Sequence, residues 1–187
     1  MRRIGIYGGS FNPVHFGHVG LAKWVIGHTD LDELWLMVSP INPLKVNAQS
    51  SDSATDLSAN FQSRLAAVRE AVKDIPGVKA SDFEFSLPRP SYTANTLRAL
   101  QNAYPDCEFT LVIGEDNLAI FPKWREYEYI LQHFRVFVYP RHAVTSSSGH
   151  SFSESSLNSP AKNLVFLTGA PYFDISSTEL RNARSSE

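Results

Sequence analysis

Two histidines stand three residues apart behind a glycine pair near the N-terminus. The segment reads Gly-Gly-Ser-Phe-Asn-Pro-Val-His-Phe-Gly-His and runs from Gly8 to His18. His15 and His18 lie at the start of a predicted helix, where this spacing places both imidazoles on one face. Imidazole N–H groups can donate hydrogen bonds to phosphoryl oxygens on which charge develops. A histidine pair alone is more often an ordinary cap, so the inference of phosphoryl chemistry depends on the whole string.

The glycines belong to a predicted turn between a strand and a helix. A glycine turn at a helix N-terminus is an anion site, because backbone N–H groups approach the phosphate and the helix dipole favours its charge. The spacing is not that of a dinucleotide-binding fingerprint, and the Gly-Lys-Ser/Thr ending of a P-loop is missing. Dehydrogenase and P-loop functions therefore lose their main support.

A second polar motif lies near the C-terminus. Residues 175–181 read Ile-Ser-Ser-Thr-Glu-Leu-Arg. The hydroxyls of Ser176, Ser177 and Thr178 can cap a helix or bind phosphate oxygens, and Arg181 supplies a charged donor fork one turn later. A plain N-cap completed by Glu179 is the alternative, and both roles can coexist.

The elements that must position these motifs alternate between apolar strands and helical periods, which is typical of an α/β protein. Strands are predicted at 4–7, 34–38, 109–113, 134–139 and 164–167, and helical patterns at 21–26, 61–72, 96–104 and 176–183. The strands predicted at 109–113 and 134–139 are apolar along their length, which favours a parallel sheet covered by helices on both faces. We expect one domain, 1–187, with flexible loops at about 47–60 and 143–163, where polar residues dominate.

Composition limits the remaining classes of protein. The chain has 187 residues, 43% hydrophobic, with 17 Lys and Arg against 19 Asp and Glu. That balance argues against a nucleic-acid or anionic-membrane surface. The apolar runs are too short to span a bilayer, Cys107 has no second cysteine to pair with, and no secretory h-region follows the N-terminus. We therefore expect a cytoplasmic protein without nucleic-acid or membrane partners, and a homo-oligomer is compatible with the sequence.

The N-terminal string resembles the signature of the nucleotidyltransferase superfamily, and residues 175–181 resemble the motif of its adenylyltransferase branch. Between them, further motifs are similar to those of the nicotinate-mononucleotide adenylyltransferase family. These motifs are Pro-Ser-Tyr-Thr-Ala-Asn-Thr-Leu at 90–97, Gly-Glu-Asp at 114–116, Trp124 within Phe-Pro-Lys-Trp-Arg, and Asn-Pro-Leu-Lys at 42–45. The resemblance extends over nearly the full chain. Asn12 departs from it, because many relatives carry Asp there, and so position 12 cannot supply a carboxylate.

The resemblance implies a Rossmann-like, doubly wound, mostly parallel sheet, and transfer of the adenylyl group of ATP to nicotinate mononucleotide with Mg²⁺. It assigns catalysis to His15, His18 and Arg181. It assigns ATP binding to Gly8, Gly9, Ser10, Phe11, Asp116, Ser176, Ser177 and Thr178. It assigns the acceptor to Lys45, Tyr92, Thr93 and Trp124.

Each acceptor and strand-end residue also has a simpler structural interpretation. Trp124 can stack on a pyridine ring or serve packing. Thr93 can bind a carboxylate or be the N-cap of the helix to Tyr104. Lys45 can contact a phosphate or stay solvated. Asp116, at the end of a central strand, can bind ribose, order the metal or cap a helix.

Two other functions stay open at this point. Phosphopantetheine adenylyltransferases share the first motif and a version of the last, but lack the Ser-Tyr-Thr and Trp pair. A nucleotide-binding sensor without turnover would use the same phosphate motifs, although intact His15, His18 and Arg181 favour an enzyme.

Overall fold

A computed structural model describes residues 1–40, 54–140 and 163–173, with the backbone alone for 54–59. Its strands form one sheet of six, in the order β3-β2-β1-β4-β5-β6. Every neighbouring pair is parallel. The strands are β1 (Arg2–Gly9), β2 (Glu33–Val38), β3 (Val78–Ser81), β4 (Cys107–Gly114), β5 (Arg135–Tyr139) and β6 (Leu164–Phe166).

Five α-helices connect or flank these strands in the described ranges. They are α1 (Phe16–His28), α2 (Ala54–Val72), α3 (Thr93–Ala103), α4 (Glu115–Ile120) and α5 (Tyr127–His133). Short 3₁₀ helices occupy Phe83–Ser86 and Phe121–Lys123. None of the helices in the described ranges has the length and apolar character needed to cross a bilayer.

The two faces of the sheet carry separate hydrophobic cores, because successive side chains of a strand point to opposite faces. One core joins Tyr7 of β1 and Val112 of β4 to apolar residues of α1 and α2. The other joins Ile4 and Ile6 of β1 to residues of α3, α4 and α5. Helices therefore cover both faces, and the Rossmann-like, doubly wound prediction is confirmed.

The register aligns the strand ends at which ligands bind in this fold. Gly8 pairs with Met37 and Gly9 with Val38, while Gly114 of β4 lies opposite Tyr139 of β5. The carboxyl ends of β1, β2, β4 and β5 thus meet at one edge of the sheet. In open parallel sheets this edge, near the point where the strand order reverses, is where ligands bind.

The predicted strands all lie within observed strands or extend them by a residue, but the loop prediction at 47–60 is wrong for its second half. Residues 54–60 form the first turns of α2. Their Ser, Asp and Asn content is typical of loops, yet helix growth is cooperative, so the apolar stretch from Phe61 onward extends into a polar segment. The Arg64 Nε–H also donates to Oδ1 of Asn60, 2.8 Å away. Residues 47–53 and 143–162, and the predicted helix at 176–183, lie outside the described ranges.

Candidate active site

The segment 8–15, called the glycine turn here, leads from β1 into α1, and its two glycines still pair with β2 as the last residues of β1, whereas the sequence placed them after the strand. A Cβ atom placed on Gly8 would meet no other atom within 4 Å, so the space beside this residue is open. A Cβ on Gly9 would lie 3.2 Å from the ring of Phe11. The turn therefore combines an open backbone at Gly8 with close packing at Gly9, as a phosphate-binding turn requires.

The two predicted catalytic histidines are brought together. His15 is the N-cap of α1, and His18 lies in the first turn. Their ring centroids are 3.7 Å apart with an angle of 33° between the planes. The backbone N–H of His15 donates to Nδ1 of His18 across 3.2 Å. A neutral His18 ring with Nδ1 as acceptor carries its proton on Nε2, which makes Nε2–H the donor it can offer.

The buried ring of Phe11 packs against the ring of His18. Its side chain is 2% exposed, and its φ of 45° lies in the left-handed region. Its ring centroid lies 4.9 Å from that of His18 and 5.6 Å from that of Tyr7, edge-on in both cases. The structure thus gives Phe11 a packing role, and its predicted contact with ATP stays a prediction.

A small cleft opens beside the histidines. Tyr7 and Tyr139 form part of its wall, with their hydroxyl oxygens 3.1 Å apart. Its lining residues come from β1, α1, the end of β5 and the segment after β6: Tyr7, His15, Gly17, His18, Leu21, Tyr139, Pro140, Pro171 and Phe173. Both imidazoles therefore line the same cleft.

Phe173 lines this cleft and packs closely against α1. A Cβ atom on Gly20 would lie 2.8 Å from Cε1 of Phe173 and closer still to Cζ. Phe16 contacts the same ring from its other side, with centroids 6.1 Å apart. Gly20 is thus the residue that allows Phe173 to close the cleft.

Two of the four predicted acceptor residues, Tyr92 and Thr93, lie at the start of α3. Tyr92 is its N-cap and Thr93 its first helical residue, so the prediction that Thr93 caps this helix is wrong. The chain is extended at Tyr92 and already helical at Thr93, so the helix begins one residue earlier than a Thr93 cap would need. The Arg125 guanidinium lies 5.0 Å from the Tyr92 ring centroid, which places the segment after Trp124 next to this helix start.

Trp124 is half-buried against the core. Its ring packs on Phe121 with centroids 5.0 Å apart. Its Nε1 atom is buried, and no residue in the described ranges accepts a hydrogen bond from it. The packing interpretation of Trp124 therefore holds, and its stacking on a pyridine ring stays a prediction.

Asp116 lies in the first turn of α4, exposed at the carboxyl end of β4. This is the strand end at which the sequence placed it. Lys45, Ser176, Ser177, Thr178 and Arg181 lie outside the described residues, and their assigned roles stay predictions.

Sequence reasoning missed two buried charged side chains behind the site. Arg64, on α2, donates from Nη1 to the carbonyls of Ser10 and Ser39, at 2.6 Å and 2.9 Å. Glu84 accepts from the hydroxyls of Ser39 and Thr96, at 2.7 Å and 2.9 Å. Their exposed fractions are 9% and 8%.

Burial shifts both ionisation equilibria away from the charged forms. Desolvation lowers the pKa of the Arg64 guanidinium. Desolvation also raises the pKa of the Glu84 carboxyl, although the hydrogen bonds from Ser39 and Thr96 oppose that rise. Arg64 had one detectable signal in the sequence, since it stands on the apolar stripe of Phe61, Leu65 and Val68.

The described residues contain no cluster of three metal-ligating side chains. Near the glycine turn the donors are imidazoles, whereas Mg²⁺ prefers oxygen ligands and commonly binds through substrate phosphates.

Sequence comparison identifies the class of protein to which this nucleotide-binding fold belongs. The profile of the cytidylyltransferase-like family matches residues 6–183. A protein of Flavobacterium psychrophilum is 40% identical over 96% of this chain and 84% of its own. One of Bacteroides thetaiotaomicron is 42% identical over 97% of this chain and 81% of its own. Both are named "Probable nicotinate-nucleotide adenylyltransferase". The chain belongs to the nicotinate-nucleotide adenylyltransferases of the cytidylyltransferase-like family.

Structural comparison agrees on the fold. The nicotinic acid mononucleotide adenylyltransferase of Plasmodium falciparum, in complex with NaAD, superposes with a TM-score of 0.66 at 18% identity. The match covers 97% of this chain and 83% of that one. A second structure of the Plasmodium enzyme, in complex with APC, gives a TM-score of 0.62 at 17% identity.

Proposed function

We propose that this protein transfers the adenylyl group of ATP to nicotinate mononucleotide, forming nicotinate adenine dinucleotide and pyrophosphate. The observation that carries the proposal is the histidine pair beside the open glycine turn. A phosphate-binding turn, two adjacent imidazoles and an aromatic segment across the same sheet edge supply the parts that such a transfer needs.

In the proposed reaction, a phosphate oxygen of the mononucleotide attacks the α-phosphorus of ATP in line. The new P–O bond forms as the bond from the α-phosphorus to the bridging oxygen breaks, and pyrophosphate leaves with that bond's electron pair. A phosphate monoester is already largely ionised at neutral pH, so no general base is required. Catalysis then depends on positioning and on stabilising charge.

His15 and His18 act on the phosphates in this scheme. The His15 backbone fixes the orientation of the His18 ring through Nδ1. Nε2–H of His18 is then the donor for an oxygen of the transition state, and preorganised donors of this kind supply much of the rate in such reactions. Gly8, Gly9 and Ser10 would bind the triphosphate through the backbone.

The acceptor occupies the other part of the sheet edge. Tyr92 and Thr93 at the start of α3 would hold the pyridine acid, with Trp124 beside it. The contact of Arg125 with Tyr92 supports this placement, because it brings the two predicted acceptor segments together. Arg125 also adds positive charge next to an expected carboxylate.

Mg²⁺ would enter as the companion of ATP, as part of the substrate. Among the described residues, imidazoles lie beside the turn, whereas Mg²⁺ prefers oxygen ligands, and this supports a metal held by phosphate oxygens. Asp116 and the residues of the second phosphate motif would complete the ATP site, with Arg181 on the leaving pyrophosphate.

Pyrophosphate release tests the proposal. The folded protein receives ATP and Mg²⁺ with nicotinate mononucleotide, nicotinamide mononucleotide or phosphopantetheine in parallel. Turnover with nicotinate mononucleotide, confirmed by detection of the dinucleotide, is the expected result. Turnover only with phosphopantetheine would support adenylyl transfer but show that the proposed acceptor is wrong. If the protein binds ATP but releases no pyrophosphate with any of the three acceptors, it is a nucleotide-binding sensor.

A further inference from the structure

Ser39, the residue after β2, contacts three different parts of the site. Its backbone N–H donates to the carbonyl of Gly9 across 2.9 Å. Its carbonyl accepts from Nη1 of Arg64 and its hydroxyl donates to Oε2 of Glu84, at 2.9 Å and 2.7 Å. One residue therefore links the glycine turn, a buried cation and a buried carboxyl group.

Arg64 holds the glycine turn in place through hydrogen bonds. Nη1 of Arg64 bonds both Ser10 and Ser39, and Nη2 donates to the carbonyl of Pro40 across 3.3 Å. Guanidinium groups present several donors in one rigid plane, so Arg64 fixes the chain after β1 relative to the chain after β2.

Glu84 holds α3, the helix at whose start the predicted acceptor residues Tyr92 and Thr93 lie. Oε1 of Glu84 accepts from Thr96, which lies one turn inside α3 and bonds the Tyr92 carbonyl through its backbone N–H at 3.0 Å. The neighbouring Phe85 stacks on Phe61 of α2, with ring centroids 4.5 Å apart. The 3₁₀ helix is thereby held to both α2 and α3.

We propose that the Arg64–Ser39–Glu84 bridge is a positioning device that sets the distance between the ATP half of the site and the acceptor half. The inference rests on the proposed function. Each half presents one reacting group, so a shift between the halves lowers the rate of transfer more than it lowers the affinity for either substrate. A displacement of about 1 Å between reacting groups can reduce a rate about 100-fold.

Ser39→Ala tests the bridge, because it deletes the hydroxyl and leaves both backbone bonds of Ser39 in place. We expect kcat to fall at least about tenfold, while the Kd of Mg-ATP alone and of nicotinate mononucleotide alone each change less than about twofold. Ser39→Thr, which keeps a hydroxyl, should restore most of kcat. Arg64→Lys, which keeps the charge and loses the planar fork, should repeat the loss of kcat.

Thr29→Val is the matched control. It deletes a hydroxyl that bonds the Val25 carbonyl at the end of α1, far from the bridge. Unchanged kcat in both Ser39→Ala and Arg64→Lys would overturn the inference. So would a loss of affinity for each substrate in proportion to kcat, because the bridge would then only maintain the fold.

The wild-type protein separates this inference from the proposed function. If it uses phosphopantetheine in place of nicotinate mononucleotide, the proposed acceptor is wrong and the variants are scored on the new acceptor. If it turns over none of the three acceptors, the proposed function and the bridge fail together. If it turns over nicotinate mononucleotide and the variants do so equally well, the bridge alone fails.

Discussion

The backbone N–H of His15 lies 3.2 Å from Nδ1 of His18, so the first turn of α1 itself orients the second imidazole. That bond favours the tautomer of His18 that carries its proton on Nε2. Its orientation is set before a ligand binds, and a preorganised donor has little to reorganise in the transition state. Capping uses Nδ1 of this ring, whereas the proposed catalytic donor is Nε2–H. A substitution can therefore keep the first function and remove the second.

His18→Asn should separate them. The asparagine side-chain oxygen can accept from the His15 N–H in place of Nδ1, but the donor at Nε2 is lost. We expect kcat to fall about 100-fold or more, as when one transition-state donor is removed. Melting temperature should change by only a few degrees.

His28→Asn is the control for that experiment, because His28 lies at the other end of α1 and contacts the Trp24 carbonyl. It should retain wild-type kcat. Full activity of His18→Asn in steady-state assays, or loss of its fold by circular dichroism, would contradict the catalytic assignment.

Substitution by alanine should mainly affect ATP binding at Gly8 and mainly affect stability at Gly9. A Cβ at Gly8 enters open space, so Gly8→Ala should leave stability nearly unchanged and raise the KM for ATP at least about tenfold where the backbone must approach phosphate. A Cβ at Gly9 would press on Phe11, so Gly9→Ala should cost about 1–3 kcal/mol of stability. Urea unfolding and the KM for ATP distinguish the two, and an unchanged KM in Gly8→Ala would remove Gly8 from the ATP site.

The parts of the fold that the sequence predicts well are those where one physical signal dominates. Buried parallel strands such as 109–113 are apolar on both faces, and the eleven-residue string from Gly8 to His18 is much more specific than its glycine pair alone. The site residues on β1 and α1 follow from that local string. The gathering of Tyr92 and Trp124 at one edge required the family resemblance, since it depends on pairing between distant strands.

The bridge behind the site could not be predicted from local patterns. Glu84 lies in a 3₁₀ helix with no periodic signal, and its burial depends on Ser39 and Thr96, which are 45 and 12 residues away in sequence. Strand β3 and helix α5 were missed for a similar reason, because each is short and is stabilised by tertiary packing more than by its own propensity.

Glu84 should make stability depend on pH. Burial raises the pKa of this carboxyl in the folded state, so the folded protein favours its neutral form. The stability gained from a raised pKa is complete below the ordinary glutamate value of about 4.3 and is lost as pH rises through the folded value. Relative to Glu84→Gln, the wild-type free energy of unfolding should therefore fall as pH rises above about 4.3 and level off once the folded pKa is passed.

Urea unfolding of both proteins at several pH values measures this difference. Glu70→Gln is the control, because Glu70 is an exposed carboxylate on α2 that pairs only with Lys73 among the described residues. This control measures what removal of a surface carboxylate does to urea unfolding under the same conditions. A rise in wild-type stability relative to Glu84→Gln with increasing pH would show that the hydrogen bonds from Ser39 and Thr96 outweigh burial.

Gly20→Ala should be coupled to Phe173. In an open helix position this change would stabilise the protein by about 1 kcal/mol, because alanine has the higher helix propensity. Here the new methyl group collides with the Phe173 ring, and overpacking costs about 1–3 kcal/mol. Gly20→Ala should therefore be neutral or destabilising in the wild-type background and stabilising in a Phe173→Ala background, a coupling of at least about 1 kcal/mol in a double-mutant cycle. Because Phe173 lines the same cleft as His15 and His18, Gly20→Ala should also change the affinity for ATP. Additive effects on unfolding, with unchanged ATP affinity, would mean that Phe173 does not close the cleft in solution.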